Sequence, residues 1–208
     1  MKERPILFSA PMVRALLDGR KTQTRRALRQ QPTLHTDTWE FCPSGGWVGT
    51  GPSPATGDTR QTLCWTKCPY GQPGDRLWVR ETWAPHPDFP ETVRRGVYRA
   101  DPECKYDVAR WRPSIHMPRW ASRILLEVVS VRVERLQDIS EEDAKAEGIE
   151  PHEVRQFAIF GLSKAERAAV YRDAAVGPYQ GLWEQINGAG SWDANPFVWV
   201  IEFKRVEP

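Results

Sequence analysis

The run Gly19-Arg20-Lys21-Thr22-Gln23-Thr24-Arg25-Arg26 holds the residues best suited to chemistry. A threonine hydroxyl becomes a nucleophile when a base takes its proton, and a lysine amine is such a base only when neutral. The neighbouring cations Arg20, Arg25 and Arg26 each disfavour the ammonium form, as does burial. Lys21 and Thr24 therefore fit a base and nucleophile pair. Residues three apart on an ideal strand face opposite ways, so the segment must turn or kink for the two to cooperate. The same residues also fit a solvated basic loop after a helix stop. Glu147, just ahead of Gly148, is a candidate general acid or base, or else a surface glutamate on an acidic helix.

The run Gly74-Asp75-Arg76-Leu77-Trp78-Val79-Arg80-Glu81-Thr82-Trp83 alternates as a strand. Arg76, Trp78 and Arg80 fall on one face. Leu77, Val79, Glu81 and Trp83 fall on the other. A tryptophan offers a nucleobase a stacking surface, and a glutamate accepts hydrogen bonds from an exocyclic amine. The competing reading makes Glu81 a bridge to an arginine and Trp83 core filling. Phosphate loops, nucleophile elbows, zinc-protease helices and zinc-deaminase signatures are all missing from the sequence.

These residues need elements to position them. Residues 5–9 read as a buried strand, then Ser9 and Pro11 open a helix that Gly19 stops. Residues 31–73 have no sustained period and read as a long insertion with one hairpin. Strands follow over Arg76–Trp83 and Gly96–Arg99, then a Pro- and Trp-bearing loop over 101–121. Ser122–Leu136 is the longest strand signal, with its alternation slipping near Ser130. Ser140 with Asp143 opens a short helix, Ser163 with Glu166 opens another through about Asp173, and Tyr179–Ile186 forms a third. Phe197–Val206 closes the chain as a strand. The pattern predicts an α+β fold over 1–208, one domain built as a small mixed β-barrel with short flanking helices.

Bulk composition limits the function classes. The 208 residues carry 29 Lys and Arg against 27 Asp and Glu, so the chain is no polycation. The charge is uneven: residues 14–29 are basic and 140–153 acidic. That pattern predicts a small anionic or polar ligand over a long duplex. The four cysteines lack zinc-site spacing and read as free thiols, so no metal or other cofactor is expected. Neither a signal peptide nor an apolar run of about 20 residues is present, which predicts a cytoplasmic protein without a membrane partner.

The stretches RPILFSAPMVRALLDGRKTQTRR, CPYGQPGDRLWVRETWA, WRPSIHMPRWASRI, LQDISEEDAKAEGI and NPFVWVIEFK together resemble the ASCH family of PUA-like domains, in its longer phage and prophage form. The resemblance implies a PUA-like barrel with insertions at about 31–73 and 84–121. A compact bacterial member of that superfamily removes the acetyl group from N4-acetylcytidine. By motif, its lysine, threonine and glutamate correspond to Lys21, Thr24 and Glu147. The implied function is a metal-independent amidohydrolase on a modified cytidine nucleoside or nucleotide. Arg20, Arg25, Arg80, Glu81 and Trp83 are the substrate-binding candidates. The alternatives are a non-catalytic RNA- or modified-base-binding module and a ribonuclease.

Overall fold

A computed structural model describes residues 1–32, 36–43, 45–52, 60–149 and 175–206. The helix expected from Ser163 lies outside them. Ten strands and three helices are described. They are β1 (Glu3–Leu7), α1 (Ala10–Leu17), β2 (Gln23–Ala27), β3 (Thr38–Cys42), β4 (Gly46–Pro52) and β5 (Arg60–Thr66). Then come β6 (Arg76–Arg80), β7 (Trp83–Pro85), β8 (Gly96–Tyr98), β9 (Leu125–Arg135), α2 (Glu141–Ala146), α3 (Val176–Asn187) and β10 (Phe197–Val206).

Five strands form a mixed sheet in the order β1-β6-β9-β10-β2. β1 pairs with β6 in parallel from Glu3↔Arg76 to Leu7↔Arg80. β6 pairs antiparallel with β9 from Arg76↔Glu127 to Trp78↔Leu125. The fold is thus α+β as expected. The sheet is open among the described residues, with no ladder closing it into a barrel.

The chain divides into two compact units, with boundaries that fall within β9 and within β10. Unit 1 takes Met1–Thr22, Tyr70–Val129 and the end of β10 from Glu202. Unit 2 takes the described residues of Gln23–Pro69 and Ser130–Ile201. The boundary in β9 falls where its alternation slips. Leu126 and Val128 are buried before it, and the next buried residue is Val133.

In unit 1, α1 buries Val13, Ala15 and Leu16. Pro11 sits in its first turn, but the Ser9 side chain makes no capping hydrogen bond. Gly19 ends the helix at φ 74°, a left-handed backbone that side chains with a Cβ resist. The turn lets the Arg20 and Lys21 amides both donate to the Ala15 carbonyl, at 2.9 and 3.0 Å. Lys21 is thereby tied to the helix end by its backbone.

The strand expected over Arg76–Trp83 is two strands. β6 stops at Arg80 and β7 starts at Trp83. The chain changes partners there. The Glu81 amide donates to the Met117 sulfur at 3.2 Å. Trp83 then exchanges hydrogen bonds with Arg112 and pairs with Tyr98 on β8. A period-two pattern survives such a switch, so the sequence does not reveal it.

In unit 2, β3, β4 and β5 make a three-stranded antiparallel sheet in that order, where one hairpin was expected. Glycines at 46, 49 and 51 interrupt the alternation of β4, and the β4–β5 register shifts between Gly49 and Thr50. Those breaks hide the strand period. The sheet packs by edge-to-face rings, Trp39 on Phe197 at 5.6 Å and Trp47 on Trp199 at 6.3 Å. A second cluster joins Leu136, Ile139 and Ala144 to Tyr179, Trp183 and Trp192. It anchors α2 and α3.

Gly19→Ala is expected to destabilise the protein by about 1–2 kcal/mol, the cost of a Cβ in left-handed backbone. Urea denaturation reads it, and an unchanged midpoint would mean the turn relaxes freely.

Candidate functional site

β2 places three buried residues in a row, Gln23, Thr24 and Arg25. Alternation is lost because both faces of the strand are covered at this end. Thr24 is 2% exposed. The Arg25 side chain is fully buried, and it gathers the acids of unit 2. Its Nη2 donates to Asp143 Oδ2 at 2.8 Å and to Glu134 Oε2 at 3.3 Å. Its Nη1 stands 3.9 Å from Glu147 Oε1. Arg132 joins the group through Glu134 and through Asp143 Oδ1 at 3.2 Å. Two guanidinium groups thus face three carboxylates.

The backbone around this cluster follows from short-range chemistry. Ser140 Oγ accepts from the Asp143 amide at 3.1 Å and so caps α2 as expected. The cap fixes Asp143 in the first turn. Gly148, at φ 90°, ends the helix right after Glu147. Glu147 is 4% exposed, so it is no surface glutamate. The Tyr179 hydroxyl of α3 hydrogen-bonds to it. Burial, and then the Glu147 charge, push the Tyr179 pKa well above its ordinary value. The hydroxyl therefore keeps its proton and donates. Burial alone would raise the Asp143 pKa. The charges of Arg25 and Arg132, with hydrogen bonds from Arg25 and Gln23, outweigh it and hold the pKa below the ordinary value.

This cluster withdraws one arginine from the surface of the basic run 14–29, whose Arg14, Arg20 and Arg29 are exposed. Arg25 is consumed by Asp143 and Glu147, members of the acidic segment itself. Arg20 is exposed and pairs with Asp18 at 3.0 Å. Arg14 donates to the Ala100 carbonyl at 3.3 Å.

Unit 1 holds the remaining candidates. Lys21 is 2% exposed, and its amine lies 5.4 Å from the centre of the Phe8 ring. Phe8 in turn packs on Phe203. Glu81 is 1% exposed, and both its oxygens are engaged by Arg123, at 2.9 and 3.1 Å. Burial raises the Glu81 pKa above its ordinary value despite the arginine. Trp83 is 1% exposed, with Trp120 at its edge and the Arg112 guanidinium over its ring. Neither side chain is open for stacking or for a ligand amine. The bridging and core-filling reading describes them. Arg80 stacks over Trp78 at 5.4 Å and donates to the Ile115 carbonyl.

Sequence reasoning missed Asp143, Arg132, Tyr179 and Arg123 as members of these networks. The capping signal marked Asp143 only as a helix-start residue. Nothing local marks Tyr179 or Arg123, whose partners lie far along the chain. The Arg132–Glu134 pair, two residues apart on β9, carries no sign of the cluster it joins. Cys42, Cys64, Cys68 and Cys104 are half-buried and form no disulfide among the described residues. Among the described residues no group of three His, Cys, Asp or Glu side chains is placed to hold a metal ion. No described helix is long and apolar enough to cross a membrane.

Arg25→Met removes the cation shared by Asp143, Glu134 and Glu147. It is expected to destabilise the protein by about 3–5 kcal/mol in urea denaturation. The Asp143 carboxyl titrates below its ordinary range, so its contribution is present above about pH 4 and is lost as pH falls through the folded pKa. Asp143→Asn is therefore expected to lower stability at neutral pH and to flatten its fall below about pH 4. An acid limb as steep as that of the wild type would contradict the assignment. Compared with known proteins, the chain matches no family model, no curated protein and no solved structure.

Proposed function

We propose that the protein is a metal-independent amidohydrolase that removes acyl groups from N4-acylated cytosine nucleosides, within a PUA-like ASCH framework. The observation that carries this reading is burial. Lys21, Thr24 and Glu147 are 2%, 2% and 4% exposed. A solvated basic loop and a surface glutamate would be open to water. Burying an amine and a carboxyl is costly unless a specific environment holds them. Groups so held are the ones whose proton affinity an enzyme can tune.

In the proposed reaction the Thr24 hydroxyl oxygen attacks the acyl carbon, and its proton passes to a neutral Lys21 amine. The tetrahedral intermediate collapses with cleavage of the carbon–nitrogen bond. The departing N4 takes a proton with the help of Glu147, giving cytidine and a Thr24 ester. Water then hydrolyses the ester to release the carboxylic acid. Water attacking the acyl carbon directly, with Lys21 orienting the carbonyl, is the variant without an ester. Lys21 and Thr24 are three residues apart, so their Cα atoms lie within about 11 Å whatever the backbone does. Lys21 precedes β2, so the opposite-face rule for one continuous strand does not bind the pair.

Glu147 sits in a setting suited to proton handling. The Tyr179 hydroxyl fixes one side of the carboxyl, and Arg25 supplies positive charge at 3.9 Å. Arg25 also keeps its buried Nε without a hydrogen-bond acceptor among the described residues. A buried donor of this kind suits a developing oxyanion.

Incubation with N4-acetylcytidine followed by chromatography tests the proposal. Cytidine and acetate are the expected products. Lys21→Ala and Thr24→Ala are each expected to lower kcat by at least about 100-fold with the thermal midpoint retained, on the scale of general-base and nucleophile losses. Unchanged turnover in both variants rejects this chemistry. Shortened RNA chains without deacylation would favour a ribonuclease instead.

A further inference from the structure

Unit 1 contains a cavity of about 500 Å³ that the proposed reaction does not use. That volume lies in the range of small-molecule sites. β8 supplies one side through Val97 and Tyr98, and the segment after it supplies Asp101, Glu103 and Tyr106. His86 faces them from the loop after β7.

The floor is rigid. The Arg123 guanidinium lies 3.9 Å from the centre of the Tyr98 ring. Glu81 grips Arg123 from below with two hydrogen bonds. Asp101 grips it from the rim, with ion-pair distances down to 2.7 Å. The Tyr98 hydroxyl is anchored on the Ala121 carbonyl at 2.8 Å. Two carboxylates therefore neutralise the one permanent cation among the described lining residues. Little of its charge is left for a ligand phosphate.

The walls are chemically distinct. One is aromatic: the His86 ring meets Tyr106 edge-on at 4.4 Å. His86 is also packed on Phe89, which lies outside the lining under the Arg95 guanidinium. Tyr106 is 45% exposed, so an edge-packed ring still presents surface. The other wall carries the Glu103 carboxylate, beside Asp101, whose two oxygens are engaged by Arg123. Flat rings accept a flat partner, and carboxylates accept hydrogen bonds from amines. The acidic balance repels an added anion.

We propose that this cavity is a binding site for a planar heteroaromatic ring bearing an exocyclic amine, without a phosphate, stacked on Tyr106 and His86 and hydrogen-bonded to Glu103. The assignment stands independently of the deacylation reading, because none of Lys21, Thr24 and Glu147 lines the cavity.

Isothermal titration calorimetry on the full chain tests it, with cytidine, adenosine, uridine, cytidine 5′-monophosphate and argininamide as probes. Cytidine and adenosine are expected to bind. Uridine, the monophosphate and argininamide are each expected to bind at least about tenfold more weakly, the scale of one charge-assisted hydrogen bond. Glu103→Gln and Tyr106→Ala alter exposed side chains, and thermal melting checks that both fold. Each is expected to weaken cytidine binding about tenfold. Lys21→Ala is expected to leave that affinity unchanged, which separates this cavity from the proposed reaction centre. No binding of either amine-bearing nucleoside at millimolar concentration overturns the proposal. So does equal binding of the monophosphate or argininamide, a loss under about threefold in either cavity variant, or abolition by Lys21→Ala.

Discussion

The buried guanidinium of Arg25 is the constraint on which unit 2 depends. It links β2 to β9 through Glu134 and to α2 through Asp143 and Glu147. A charge taken out of water costs several kcal/mol even after relaxation, and only good geometry to counter-charges offsets it. The position of α2 is therefore set by more than apolar packing. Its capped first turn brings Asp143 to Arg25, and its last residues bring Glu147. Apolar surface is forgiving in register, whereas a hydrogen-bonded ion cluster allows one arrangement. The adjoining apolar cluster of Leu136, Ala144, Tyr179 and Trp183 supplies the bulk of the burial around it.

Unit 1 uses the same device with the opposite balance. Arg123 serves two acids as Arg25 serves three. At Asp143 two cations and hydrogen bonds outweigh burial and the pKa falls. At Glu81 burial outweighs a single arginine and the pKa rises. The linkage signs follow. Asp143 stabilises the fold above its ordinary range and loses that contribution in acid. Glu81 contributes most when protonated and loses that contribution as pH rises through its folded pKa. At Arg123 burial alone would lower the pKa, but the hydrogen bonds and charges of Glu81 and Asp101 outweigh it and raise it, so the guanidinium keeps its charge. It gives Tyr98 and Asp101 a fixed floor to stand on.

Local signals carried most of the fold. The Gly19 stop, the Ser140 cap, the Gly148 end and the phase slip in β9 are each decided by a few adjacent residues, and each is where the sequence placed it. Three features were hidden, for separate reasons. β4 is a strand whose glycines erase its alternation. The β6–β7 break exchanges sheet partners without a change of period. The open edge of the five-stranded sheet is a property of long-range pairing, which no window of sequence contains. Among the site residues, Lys21, Thr24 and Glu147 were chosen for chemical type and spacing, and all three are buried. For Glu81 and Trp83 the alternation left two readings open, a pocket wall and a buried structural pair, and both side chains are buried. Alternation reports which side a residue takes, while its exposure depends on what packs against that side.

Charge patterning teaches the sharper lesson. A basic run and an acidic run more than a hundred residues apart invite separate explanations, one a ligand patch and the other a solvated helix. Arg25, Asp143 and Glu147 show instead that the two runs meet and answer each other. Complementary segments of one chain form ion pairs at high effective concentration, so they satisfy each other before any external ion competes. The consequence is local. The ion cluster fixes how β2, β9 and α2 meet, while Arg14, Arg20 and Arg29 of the same run stay exposed.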